Sequence, residues 1–95
     1  MKQTGIELIA KERQEQIEKH GRTIYLDVRF NYNKQLSMGA YMLLSVDYEE
    51  VIDPESFPDG WDHETCKHMI SKNYKERLII AGALIAAELD RIQNI

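Results

Sequence analysis

The side chains best suited to chemistry in this sequence are carboxylates at helical spacing. Glu12, Glu15 and Glu18 recur every third residue, and Glu88 and Asp90 form a second acidic group near the other end of the chain. Hard oxygen donors from two adjacent helices can hold Mg²⁺ and leave room for phosphate oxygens. The plainer use of Glu15 and Glu18 is a solvated helix face. Glu88 says more, because it follows a long apolar face, and a carboxylate turned toward a core must find a cation. An ion pair with an arginine such as Arg13 is the structural reading of Glu88, and metal ligation is the functional one. Asp27, the only carboxylate between residues 21 and 32, needs a nearby base or a metal in the same way. The candidate metal ligands are therefore Glu12, Glu15, Asp27 and Glu88. Arg13 and Arg91 are the candidate phosphate contacts.

Other reactive types carry less. His63, Cys66 and His68 spell H-x-x-C-x-H, but three ligands at these offsets on one helix cannot converge on a soft metal. His20 reads as a helix-end residue. Cys66 has no recognisable base or oxyanion site beside it and reads as a core or half-exposed thiol. Gly5, Gly21, Gly39, Gly60 and Gly82 are scattered and form no phosphate-binding loop. Tyr25, Phe30, Tyr32 and Tyr41 could stack a base, although core packing is the commoner use of such aromatics.

The elements that must position these groups fit into one domain. Ninety-five residues with 43% hydrophobic and 29% charged content give a thin core and no sign of wholesale disorder. A net charge of -4 argues against a dedicated nucleic-acid binder. A single cysteine excludes an internal disulfide and fits a reducing cytoplasm. The start, MKQTGIELIAKER, becomes charged too early for a signal peptide, and the apolar run at 78 to 87 is too short to span a bilayer. No membrane association is expected.

That apolar run anchors the fold. Residues 72 to 93 read as a central helix, with Ser71 as its N-cap and Leu78, Ala81, Leu84, Ile85, Glu88 and Ile92 on one face. Gly82, Ala83, Ala86 and Asp90 form a neighbouring small row that admits close helix contacts. Residues 4 to 20 read as a first helix, with Thr4 and Glu7 in a capping box and Gly21 as the stop. Its Ile6, Ile9, Ala10, Arg13 and Ile17 fall on one side. Residues 21 to 32 alternate like a strand, but with no partner strand available they read as an extended segment laid over the helices. Residues 33 to 47 form another helix, capped by Asn33 or Asn31 and slim at Ser37, Gly39, Ala40 and Ser45. Residues 49 to 61 hold both prolines and read as a long loop whose Phe57 and Trp61 plug the base of the core. Residues 62 to 70 form a short helix capped by Asp62. The expected fold is all-α, a single domain over residues 1 to 95 with three main helices, and dimerisation supplies cover for the apolar excess of the central helix.

The combination ERQEQIEKHG at residues 12 to 21, Asp27, QLSMGAYMLL, a Trp-containing Pro loop and RLIIAGALIAAELDR resembles small proteins encoded by phages and prophages. More remotely, carboxylate-bearing helices around a small-residue core resemble the all-α nucleotide pyrophosphohydrolases of the MazG type. That resemblance implies Mg²⁺-dependent hydrolysis of a nucleoside triphosphate to the monophosphate and pyrophosphate. The E-E-x-x-E and E-x-x-D spacings of that group are not present as such, since Glu88 is followed by Asp90 and Arg91. Two readings stand. One is a pyrophosphohydrolase-like protein, active or degenerate. The other is a non-enzymatic phage-type accessory protein that binds a protein partner through an exposed face of its first helix.

Overall fold

A computed structural model describes residues 2–49 and 52–95, and within them every regular element is helical. The first helix, α1 (Gly5–His20), opens on the expected capping box. The Thr4 hydroxyl accepts from the Glu7 amide, and the Glu7 carboxylate accepts from the Thr4 amide at 3.0 Å, which satisfies two orphan donors at once. The same contact lowers the Glu7 carboxyl pKa. Gly21 ends the helix in the left-handed region at φ 65°, where only a residue without Cβ sits at no cost.

The segment after Gly21 is not extended. Thr23 caps a short helix, α2 (Ile24–Phe30), with its hydroxyl accepting from the Leu26 amide. An unpaired strand would leave backbone donors and acceptors unmatched, whereas a capped helix satisfies them internally. The alternation of Ile24, Leu26 and Phe30 marks no buried face, because all three are exposed and the residue α2 buries is Asp27. The turn into α3 (Gln35–Ser45) also departs from expectation. Neither Asn33 nor Asn31 caps it. Lys34 occupies the cap at φ 64° without a side-chain hydrogen bond. Gln35 ties the turn instead, accepting from the Asn33 amide and donating to the Phe30 carbonyl. Asn31 is thereby left free for a longer-range contact.

The Pro-containing loop holds a single 3₁₀ turn, Pro54–Ser56, and its residues 50 and 51 lie outside the described residues. Phe57 is buried and Trp61 packs on the core, as expected of a plug. Asp62 caps α4 (His63–Ile70), accepting from both the amide and hydroxyl of Thr65. The cap of α5 (Tyr74–Gln93) is Asn73 rather than Ser71. Ser71 instead finishes α4, its hydroxyl donating to the His68 carbonyl.

Helix α5 is central, packing against α1, α2 and α3, and it buries Ala81, Leu84 and Glu88 of the expected face but turns Leu78, Ile85 and Ile92 outward. Arg77, Ile80, Ala81, Leu84, Ala87, Glu88 and Arg91 face inward, while Leu78, Ile85, Leu89 and Ile92 are between 40% and 56% exposed. Small residues explain the choice. A Cβ on Gly82 would lie 2.6 Å from Ile9 of α1, and one on Gly39 of α3 would lie 3.2 Å from Leu84. These close approaches set the helix faces more strongly than the bulk of the larger aliphatics does. The α1 face is likewise polar where it is buried: Arg13 and Gln16 are its inward residues and Ile6 is exposed. The result is a slab of 38 × 36 × 20 Å. Among the described residues no helix is long and apolar enough to cross a membrane.

Candidate functional site

Two clefts share one wall. The first, about 400 Å³, is bounded by Phe30 and Asn31 at the end of α2, by the Asp59–Asp62 turn that carries Trp61, and by Arg22 and Thr65. The second, about 340 Å³, runs between Glu12, Glu15, Gln16 and His20 of α1 and Thr65, His68 and Lys72 around α4, again with Arg22. Arg22 and Thr65 line both. An aromatic chamber therefore opens beside a chamber carrying carboxylates, imidazoles and an ammonium group.

Arg22 stands at the junction because Gly21 turns the chain there, with the Arg22 amide donating to the Gln16 carbonyl at 2.9 Å. Its guanidinium lies 5.1 Å from the Trp61 ring centroid, within cation–π range. Among the described residues no carboxylate forms an ion pair with it. Burial lowers its pKa, and the charge of Asp27 acts in the opposite direction. A desolvated cation without a paired anion stabilises an incoming phosphate or carboxylate more than a hydrated one would.

Trp61 is held on two sides. Its indole N–H donates to Asn31 Oδ1 at 2.9 Å. Its benzo edge rests on α3, where a Cβ on Gly39 would fall 2.6 Å from the ring.

The six candidate residues divide into two groups. Glu12 and Glu15 line the second cleft, and Glu12 accepts from Gln16 Nε2 at 3.3 Å. Asp27 is only 1% exposed and accepts from Asn31 Nδ2 at 2.8 Å, with Arg13 Nη2 at 3.8 Å. Burial raises its carboxyl pKa, while the Asn31 hydrogen bond and then Arg13 and Arg22 pull it down. Glu88 does turn to the interior, but its partner is Arg91, one turn along the same helix, rather than Arg13. That contact raises the Arg91 pKa. Arg13 reaches Asp27, Asp90 at 3.5 Å and the Arg22 carbonyl at 3.0 Å. Asp27 is thus paired with Arg13 and Glu88 with Arg91, and none of the four lines either cleft.

Sequence reasoning missed Arg22, His20, His68, Lys72 and Trp61 as cleft residues. The one available signal was Arg22, a cation placed directly after a helix-ending glycine. Among the described residues no three His, Cys, Asp or Glu side chains are grouped so as to hold a metal ion. Cys66 is a buried core thiol whose pKa burial raises, and His63 meets the Phe57 ring edge-on. Comparison with protein-family models, with curated proteins and with solved structures finds no match for this chain.

Proposed function

We propose that the protein binds a nucleoside triphosphate across the two clefts and, with Mg²⁺, hydrolyses it to the monophosphate and pyrophosphate. The observation that carries this reading is the position of Arg22, which lines both chambers and has a neighbouring aromatic ring but, among the described residues, no paired carboxylate. Trp61 and Phe30 offer π-faces to a base. Arg22 and Lys72 supply positive charge along the phosphate chain. Glu12 and Glu15 fit Mg²⁺, which binds through one or two carboxylates plus substrate phosphates and keeps its remaining waters. The ion supplies neutralisation of phosphate charge. Asp27 and Glu88 do not fit that role, because each is buried against an arginine. The test is a titration of Mg²⁺ and a panel of nucleotides followed by amide and indole NMR shifts, with pyrophosphate release measured in parallel. Shifts at Trp61, Arg22 and Glu15 with release of pyrophosphate are expected. Nucleotide-independent spectra would overturn the reading and leave the protein-binding alternative.

A second copy of the chain completes the fold in the same proposal. Leu78, Ile85, Leu89 and Ile92 follow steps of seven, four and three on the outer side of α5, the spacing of a helix–helix seam. The accessible surface is 6538 Å² for 11.1 kDa, about 900 Å² more than the size scaling of folded monomers gives. The four side chains of that seam are 40% to 56% exposed and supply part of the excess. Sedimentation at dimer mass, lost in Ile85→Glu, is the expected outcome. A monomer at micromolar concentration would refute it.

A further inference from the structure

We infer that Asp27 is a positioning residue: acting through Asn31, it fixes the plane of Trp61 and so sets the aromatic wall of the first cleft. The inference takes from the proposed function only the identity of the ligand, since the positioning itself is a property of the ligand-free protein.

The groups form a closed circuit. Trp61 Nε1 donates to Asn31 Oδ1 at 2.9 Å, and Asn31 Nδ2 donates to Asp27 Oδ1 at 2.8 Å. Asp27 Oδ2 lies 3.8 Å from Arg13 Nη2. Arg13 Nη1 donates to the Arg22 carbonyl at 3.0 Å, and the Arg22 guanidinium returns to the Trp61 ring at 5.1 Å. The circuit draws on α1, the turn after it, α2 and the loop before α4, which are the parts that shape the two clefts.

Its direction follows from donor and acceptor chemistry. An indole N–H can only donate, and an ionised carboxylate can only accept. An amide placed between them has one orientation that satisfies both, with its oxygen toward Trp61 and its NH₂ toward Asp27. Asp27 therefore determines which end of Asn31 meets the indole, although it touches neither the ring nor the cleft. Asp27 is absent from the lining of both clefts. This accounts for a buried aspartate on a short helix of which it is the one buried residue. It also gives Asn31 a purpose beyond ending α2.

The charges facing Asp27 come from three sides: Arg13 on α1, Arg22 in the following turn, and Glu88 with its partner Arg91 on α5. Asp90 shares Arg13 with it. Among the described residues Asp27 Oδ2 and Arg13 Nη2 are buried without a hydrogen bond, so the pair is held by charge and leaves Oδ1 for Asn31. Protonation of Asp27 removes the acceptor-only condition and frees the amide to turn.

Trp61 is the only tryptophan in the chain, so intrinsic emission reports this ring alone. The experiment measures emission maximum and acrylamide quenching of the ligand-free protein for the wild type, Asp27→Asn, Asn31→Leu and the double variant. Asn at position 27 keeps the shape but can present either a donor or an acceptor, so the amide loses its determinant. The expected result is a red shift and faster quenching in both single variants. The ratio of held to released ring should change by about five-fold, the effect of one net hydrogen bond. In the Asn31→Leu background, Asp27→Asn should change nothing further. Equal changes by Asp27→Asn in both backgrounds, or no change in either, would overturn the inference. If Asp27→Asn does not fold, Asn31→Leu alone decides, since unchanged quenching in it refutes the circuit. Nucleotide titration of the same proteins tests the proposed function separately, because a relay that holds in a protein blind to nucleotides supports one claim and sinks the other.

Discussion

Two buried arginines on opposite parts of the molecule are treated very differently. Arg77, at the start of α5, uses its whole guanidinium: Nη1 and Nη2 grip both oxygens of Asp47 at 3.1 and 2.8 Å, and Nε donates to the Lys72 carbonyl at 3.1 Å. Arg13, on α1, faces two aspartates but hydrogen-bonds neither, and among the described residues its Nε and Nη2 have no hydrogen-bond partner, nor do Gln16 Oε1 and Asp27 Oδ2. A bidentate pair with every guanidinium nitrogen engaged locks one geometry, here the seat of α3's end against α5. A partly satisfied network keeps its charges close and its orientations open. Of the residues with orphaned atoms, Gln16 lines the second cleft, and Arg13 donates to the carbonyl of Arg22, which lines both. Satisfaction thus separates the clamp from the network behind the clefts we propose as a ligand site.

Breaking the clamp gives the largest effect. Arg77→Ala strands Asp47 and the Lys72 carbonyl and should cost about 3 kcal/mol, at the low end for a broken buried pair because Asp47 keeps some solvent. Chemical denaturation checks it, and nucleotide-induced shifts at the clefts should survive. An equal loss from Arg13→Ala would remove the distinction. Glu88→Gln comes next. Its partner Arg91 loses a charged hydrogen bond, so a loss of roughly 1 to 3 kcal/mol is expected, with any Mg²⁺-induced rise in melting temperature retained. A Mg²⁺ response abolished in Glu88→Gln would return that carboxylate to the metal site.

The third test uses pH. Because the folded Asp27 pKa is raised by burial, the native state holds more protons than the unfolded chain between the ordinary aspartate value of about 3.9 and the raised one. Its contribution to stability is full below that window and is lost as pH rises through it. Asp62 has the opposite sign: the Thr65 amide lowers its pKa, so its contribution is present above the ordinary value and lost on acidification. The melting-temperature difference between wild type and Asp27→Asn should therefore fall as pH rises through the Asp27 window. A difference that grows instead would mean that Arg13 and Arg22 outweigh burial.

Much of the fold was legible in the residues. Thr4 with Glu7, Gly21 and Asp62 mark helix ends by chemistry that does not depend on the rest of the chain, and the core plug at Phe57 follows from an apolar residue between prolines. Residues 24 to 30 mislead because their apolar alternation suggests extended chain, whereas Thr23 and Asp27, a cap and a first-turn acid, carry the stronger local signal. The face of α5 misled for a different reason. Bulk suggested Leu78, Ile85 and Ile92, but Gly82 and Gly39 let neighbouring elements so close that small residues won the interior. Of the site, Glu12 and Glu15 were visible from spacing. Arg22, Lys72 and Trp61 come from three separate segments, and only the packing of α4 and its preceding loop against α1 brings them together.

The smallest expected stability effect belongs to Glu15→Gln, and it decides most about the clefts. Glu15 lines the second cleft and makes no hydrogen bond or ion pair among the described residues, so removing its charge should change stability by no more than about 0.5 kcal/mol. If it holds Mg²⁺ with Glu12, the same change should sharply weaken the Mg²⁺ dependence of nucleotide binding, and Glu12→Gln should do likewise. The two variants together should do little more than either alone, since a site of two carboxylates is lost once one is gone. Isothermal titration with Mg²⁺ and a nucleoside triphosphate, at matched ionic strength, reads this directly. Unchanged Mg²⁺ dependence in both single variants would make these glutamates a solvated face. Arg22 would then remain an anion site served by cations alone, and metal-assisted hydrolysis at these clefts would fall.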